Sequence, residues 1–151
     1  MNLTFKIANE SDCNLLTDTA KKSKKHWGYS DELIEQWHDD LAVVPESFLN
    51  RKIYKSYSGD DFIGFYVILD KGEYCELDGL WILPDHHGKG FGREMMAHAK
   101  AEATKSGYNY IRLYADPNVN GFYEKIGGEL KGKKETFIND RYLNIYHFDL
   151  V

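Results

Sequence analysis

The sequence predicts the α/β (α+β) class: a mixed, mostly antiparallel central sheet of about seven strands flanked by helices. Two observations lead there. Three apolar, alternating runs in the middle of the chain are joined by tight polar turns, which makes an antiparallel meander. Further on, a strand, a long amphipathic helix and a second strand follow one another as a βαβ-like unit, so that pair is expected to be parallel. At 151 residues the chain is long enough for one domain with a real core and shorter than two typical domains need. A single domain over 1–151 is therefore expected.

The elements follow in order. Leu3, Phe5 and Ile7 alternate with polar neighbours as a strand does, and Asn9-Glu10-Ser11-Asp12 supplies caps for a helix through Leu15, Leu16 and Ala20. Trp27-Gly28-Tyr29 breaks that helix. Ser30, with Leu33, Ile34 and Trp37 at amphipathic spacing, starts another that ends before Pro45. Strands are predicted at 51–57 and 62–69, joined by Ser58-Gly59-Asp60-Asp61, and at 74–83 after Asp70-Lys71-Gly72-Glu73. A helix over 90–105 buries Phe91, Met95, Ala99 and Ala103 and stops at Gly107, before a strand at Tyr110–Tyr114. A short helix over 119–126, with Phe122 as a core aromatic, and strands at 129–137 and 142–149 complete the order β-α-α-β-β-β-α-β-α-β-β.

A formal net charge of −5 argues against a broad nucleic-acid or anionic-membrane surface. Lys21-Lys22-Ser23-Lys24-Lys25 is the one basic run, and it reads as a solvated helix end with cations near the negative pole. Cys13 and Cys75 are the only cysteines, and the first residues do not have the pattern of a cleavable leader. A reducing, cytoplasmic setting is the expectation. No apolar stretch approaches the ~20 residues that span a bilayer. The six histidines, including the His86-His87 pair, lack metal-ligand spacing, so no metal is implied.

The most informative segment runs from Leu80 to Arg93. A strand-like stretch stops at Pro84, and Gly88, Gly90 and Gly92 then open onto the long helical pattern. Glycines leave backbone amides bare where a helix begins, and the helix macrodipole adds about half a positive charge there, a combination that holds a pyrophosphate. A P-loop is excluded because Lys89 is followed by Gly90 and not by Ser or Thr, and the spacing does not match a dinucleotide fingerprint.

The segment resembles the acetyl-coenzyme A loop of the GNAT acyltransferase superfamily, Arg/Gln-x-x-Gly-x-Gly/Ala preceded by a hydrophobic residue, any residue and proline. Here it reads Ile82-Leu83-Pro84, then His87-Gly88-Lys89-Gly90-Phe91-Gly92, with His87 where the family prefers Arg or Gln. A second run, Asp116-Pro117-Asn118-Val119-Asn120-Gly121-Phe122-Tyr123-Glu124-Lys125-Ile126-Gly127-Gly128, is similar to the family's later signature, an Asn before a short helix carrying Phe-Tyr-Glu-Lys. The family's common Asn position, seven before the Tyr, holds Asp116; Asn118 matches a subset with Asp-Pro-Asn, and Asn118 or Asn120 is left to touch the cofactor. The resemblance covers residues 62 to 149 approximately.

The resemblance implies an acetyl-CoA-dependent N-acetyltransferase that moves an acetyl group to a primary amine of a small molecule or protein by direct attack in a ternary complex. A noncatalytic acyl-CoA binding module, or transfer to a hydroxyl, are the alternatives. Such chemistry needs an uncharged amine, and an ammonium with a pKa of about 10 must first lose a proton to a base. Glu76 and Asp78 alternate on the strand that feeds the loop, so they share one face, which is also what an ordinary half-solvated strand would show. By resemblance Glu76 is the leading base, and Tyr123 donates a proton to the departing sulfur. By resemblance too, backbone at Leu80, Trp81 and Ile82 meets the thioester, Asn118 (or Asn120) and Phe122 contact the cofactor, and His26, Trp27 and Tyr29 wall the acceptor, although packing of Trp27 and Tyr29 onto the sheet accounts for them equally well. Lys89 and Arg93 stand either as neutralisers of the cofactor phosphates or as solvated cations near a helix start. The last strands are implied to pair between subunits, where Tyr142, Ile145 and Tyr146 stand as homodimer contacts or as core.

Overall fold

The computed structural model describes residues 2–151. Seven strands form one sheet in the order β1-β2-β3-β4-β5-β7-β6, with β1 at Thr4–Ile7, β2 at Arg51–Ser58, β3 at Asp61–Asp70, β4 at Cys75–Ile82, β5 at Tyr110–Ala115, β6 at Glu129–Glu135 and β7 at Tyr142–Asp149. The helices are α1 (Cys13–Lys25), α2 (Asp31–Gln36), α3 (His38–Leu41), α4 (Phe91–Lys105) and α5 (Asn120–Lys125). The mixed, mostly antiparallel sheet expected from the sequence is the one observed. The chain falls into two compact units, one running to Val67 and taking in Gly79–His98, the other comprising Ile68–Asp78 and Ala99–Val151.

In the first unit, β1 pairs antiparallel with β2, from Thr4↔Tyr57 to Ile7↔Tyr54. The alternation of β1 gives a strand at the sheet edge, and Ile7 is 60% exposed there. Asn9 then caps a 3-10 turn, its Oδ1 accepting the Ser11 amide at 2.9 Å while Asp12 reaches back to the Asn9 amide at 3.0 Å. Leu16, Thr19, Ala20 and Ser23 are the buried stripe of α1, whereas Leu15 points outward. The helix expected to start at Ser30 does so, with the Ser30 hydroxyl capping the Leu33 amide at 3.1 Å. It breaks at Trp37 (φ −89°, ψ 7°), leaving α2 and α3 as two short pieces. Beyond α3, Val43 is tied to α1 by its amide, which donates to Thr17 Oγ1 at 2.9 Å.

Gly64 of β3 is a close-approach site. A Cβ there would lie 2.0 Å from the Trp81 carbonyl oxygen and 2.9 Å from the Ile82 Cα. Only glycine lets the two backbones pass at that distance.

In the second unit, β4 pairs in parallel with β5 (Cys75↔Ile111, Glu76↔Arg112), and β5 pairs antiparallel with β7 from Tyr110↔Asp149 to Ala115↔Asn144. One face buries Cys75, Leu77, Ile111, Leu113, Ala115, Tyr146 and Phe148; the other carries Glu76, Asp78, Arg112 and His147. Tyr146 is thus core, its hydroxyl donating to Glu124 Oε2 at 2.6 Å and accepting from Asn144 Nδ2 at 3.0 Å, while Tyr142 is exposed and Ile145 half-buried. The outer strand β6 is almost wholly exposed, is bulged between Leu130 and Gly132, and stops at Glu135, so Phe137 lies beyond it in the open. On α5 the burial is the reverse of the sequence expectation for Phe122. Tyr123 is the buried ring and Phe122 is half-exposed, because it is Tyr123 that packs toward Tyr146 and Phe148. Among the described residues, no helix is long and apolar enough to cross a membrane.

Candidate active site

The loop after β4 is built by backbone geometry. Leu83 donates its amide to the Ile63 carbonyl at 2.9 Å, and Pro84 opens one 3-10 turn, Pro84–His86. Gly88 (φ 74°) and Gly90 (φ 83°) then take the left-handed conformation that swings the chain into α4. Such a conformation costs an L-residue about 1–2 kcal/mol. The Gly90 carbonyl accepts the Glu94 amide at 3.3 Å and starts the helix. Among the described residues, no acceptor in the chain meets the amides of Gly88, Lys89, Gly90, Phe91, Gly92 and Arg93. Those free donors stand at the positive end of a fifteen-residue helix, which is the arrangement that holds phosphate oxygens. Phe91 and Gly92 are buried and Gly88, Lys89, Gly90 and Arg93 exposed, so Phe91 anchors α4 and has only its backbone to give.

His87 does not reach outward as an Arg or Gln would. Its Nε2 donates to the Ile82 carbonyl at 2.7 Å, fastening the loop to the strand that precedes it. The ring lies against Trp27 (5.7 Å, 29°) and edge-on to His26 (4.6 Å, 80°). The structure therefore brings His26 and Trp27 to the loop. Tyr29 packs instead against Trp37 at 4.9 Å, with the Lys24 ammonium over both rings. Leu80, Trp81 and Ile82 are half-buried at the end of β4.

A cavity of about 490 Å³ is lined by Lys22, Lys25 and His26 at the end of α1 and by Leu83, Pro84, Asp85 and His86. Lys25 also pairs with Asp31 at 2.6 Å. Lys22 and Lys25 are exposed in the last turn of α1, as a solvated helix end predicts, and their i, i+3, i+4 spacing with His26 places all three on the helix face that lines the cavity.

In the second unit, Glu76 and Asp78 share the face opposite Cys75 and Leu77, and their side chains are hydrogen-bonded to each other. Burial first, and then the Asp78 carboxylate, push Glu76 above the ordinary carboxylate range, against the pull of Lys71 and Lys134. Such a group can hold and release a proton nearer neutrality than an exposed glutamate can.

Tyr123 is 7% exposed, and burial raises its phenol well above the ordinary tyrosine value. Among the described residues its hydroxyl has no hydrogen-bond partner, although its ring is seated by Phe122, Tyr146 and Phe148. It is a protonated donor at neutral pH. Asp116, at the family's Asn position, caps the Pro117–Val119 turn through the Asn118 amide (2.9 Å) and pairs with Arg141 at 3.1 Å. The Asn118 side chain also donates to Asp116, at 2.9 Å. Asn120 differs: its Oδ1 is buried and has no partner.

The family model "Acetyltransferase (GNAT) family" matches residues 14–128. No curated protein matches the chain. Among solved structures, the PaiA N-acetyltransferase of Thermoplasma acidophilum in complex with coenzyme A is 21% identical with a TM-score of 0.77, and 99% of each chain is covered. A GCN5-related N-acetyltransferase from Rhodopseudomonas palustris is 18% identical with a TM-score of 0.81, over 99% of this chain and 97% of that one. A putative acetyltransferase from Salmonella typhimurium, solved with its cofactor acetyl-CoA, is 17% identical with a TM-score of 0.70, over 100% and 95% of the two chains. At these identities the likeness to the solved structures is one of fold.

Proposed function

The chain belongs to the acetyltransferase (GNAT) family, and from that premise we propose that it is a single-domain, acetyl-coenzyme A-dependent N-acetyltransferase acting on a primary amine of a small molecule or a protein. The observation that carries the reading is the run of partnerless amides from Gly88 to Arg93, opened by two left-handed glycines. These residues fit the pyrophosphate of coenzyme A: amide donors replace the water that solvates the phosphates, and Lys89 and Arg93 add positive charge at the rim. The orphaned Oδ1 of Asn120 suits an N–H of the pantetheine arm, whereas the Asn118 side chain is already engaged with Asp116. When bound, acetyl-CoA supplies an activated thioester. Glu76, with Asp78 beside it, takes the proton of the acceptor ammonium, directly or through water, so that the nitrogen attacks within a ternary complex. Tyr123 gives its proton to the departing sulfur. His26 and Trp27 form a wall for the acceptor.

The test is thiol release from acetyl-CoA with purified protein against amino acids, polyamines, aminoglycosides and peptides, with mass spectrometry of product and protein. An N-acetylated product and no acetylated protein intermediate are expected. Tight coenzyme binding with no thiol release across the panel would leave a noncatalytic acyl-CoA binder, and an O-linked product would move the acceptor to a hydroxyl.

A further inference from the structure

Register places Glu76 of β4 directly beside Arg112 of β5, and both side chains rise from the half-exposed face of the sheet. An arginine beside a carboxylate ordinarily closes an ion pair, which lowers the acid's pKa by about one to three. Here the guanidinium goes the other way. Arg112 Nε donates to His147 Nε2 at 2.9 Å, across a second register pair, and its Cζ lies 5.1 Å from the centroid of the Tyr74 ring. The His147 ring is itself held, stacked on Tyr110 (4.5 Å, 20°), which stacks in turn on Tyr74 (4.8 Å, 5°). Among the described residues Glu76 and Arg112 form no ion pair, and the charges that bear most on Glu76 are those of Asp78, Lys71 and Lys134.

We propose that His147 is a positioning residue: by accepting the Arg112 Nε–H it parks the guanidinium on Tyr74 and keeps it from pairing with the neighbouring Glu76 carboxylate. The device needs a lone pair on Nε2, so His147 carries its proton on Nδ1 and is neutral. Burial, Arg112 and Lys131 all favour that neutral form, and Asp149 and Glu129 oppose it more weakly. Acidification that protonates His147 turns the acceptor into a donor and frees Arg112 for Glu76. The catalytic meaning rests on the reading of Glu76 as base, because a carboxylate locked to arginine is a poor acceptor for an ammonium proton.

The experiment is a carbon-13 NMR titration of the Glu76 carboxyl in the full chain, in wild type, His147→Phe, His147→Gln and His147→Phe/Arg112→Met. Phenylalanine keeps the flat ring on Tyr110 and removes the lone pair, glutamine keeps an acceptor, and methionine removes the charge. The Glu76 midpoint is expected to fall by about one pH unit or more in His147→Phe, to stay near wild type in His147→Gln, and to recover in the double variant. The acid limb of kcat/KM moves with it. An unchanged midpoint in His147→Phe, or one that stays low once Arg112 is gone, overturns the proposal. If the midpoints move as expected while Glu76→Gln leaves the acid limb of turnover in place, the positioning holds and the base assignment is what fails.

Discussion

Replacing Tyr123 with phenylalanine separates catalysis from folding because of how the hydroxyl is placed. It has no partner in the chain among the described residues, while the ring it sits on is 7% exposed and seated by Phe122, Tyr146 and Phe148. Removing the oxygen therefore breaks no internal hydrogen bond, and the cost to stability should be about 0.5 kcal/mol or less. For a chain of this length that is a fall in Tm of about 2 °C at most. If the phenol gives a proton to the leaving thiolate, turnover should drop by about a hundredfold or more, or about 2.7 kcal/mol of barrier. Coenzyme affinity should change little. The assay is thiol release at saturating donor and acceptor, beside a coenzyme titration by calorimetry and a thermal melt. A wild-type kcat in Tyr123→Phe would refute the donor role. A melt lowered by several degrees would refute the account of a partnerless hydroxyl. Because burial raises this phenol, the donor form is intact below its folded pKa, and any alkaline limb of kcat due to it lies above the ordinary tyrosine value.

Glu76 gives a signed prediction in pH. Its folded pKa is raised, so the stability it contributes is complete below the unfolded value and is lost as pH climbs through the folded one. Glu76→Gln should accordingly be the more stable protein in the neutral and alkaline range, and its kcat/KM should lose the acid limb; urea melts across pH and a pH–rate profile check both, and a less stable Gln variant at alkaline pH would contradict the assignment. Gly90→Ala puts a Cβ on a residue at φ 83°, should cost about 1–2 kcal/mol in a denaturant melt, and should weaken coenzyme binding by an order of magnitude, about 1.4 kcal/mol. An unaltered dissociation constant would move the phosphate site elsewhere. Asn120→Ala loses no chain partner, so calorimetry should show weaker coenzyme binding, by about 0.5–1.5 kcal/mol, with an unchanged melt. Asn118→Ala should do neither more than slightly to binding nor leave the turn at Asp116 as firm.

Much of the fold was legible because its signals are local. Two-residue alternation, glycine turns and the stripe of Phe91, Met95, Ala99 and Ala103 each depend on neighbours within a few positions, and all four of those α4 residues are buried. The turn into α4 was legible for the same reason, since Gly88 and Gly90 take the left-handed conformation that glycine favours, while Gly92 lies in the helix itself. What alternation cannot state is position in the sheet, and so Ile7, on an edge strand, lies exposed. Nor can a short helix announce which of two adjacent rings turns inward, and the burial expected of Phe122 falls on Tyr123. The remaining features join residues far apart in the chain. His26 meets His87, Arg112 meets His147, and the partnerless Oδ1 of Asn120 is identified only when every neighbour that fails to reach it is in place.

The contact at Gly64 makes an unusual demand on heritable variation. A misfit between two side chains can be relieved by trimming either of them, but the obstacle facing position 64 is the peptide carbonyl of Trp81, which every amino acid possesses. No second-site change of residue type can shorten a carbonyl. A library randomised at both 64 and 81 should consequently return any of several residues at 81 and a single one at 64.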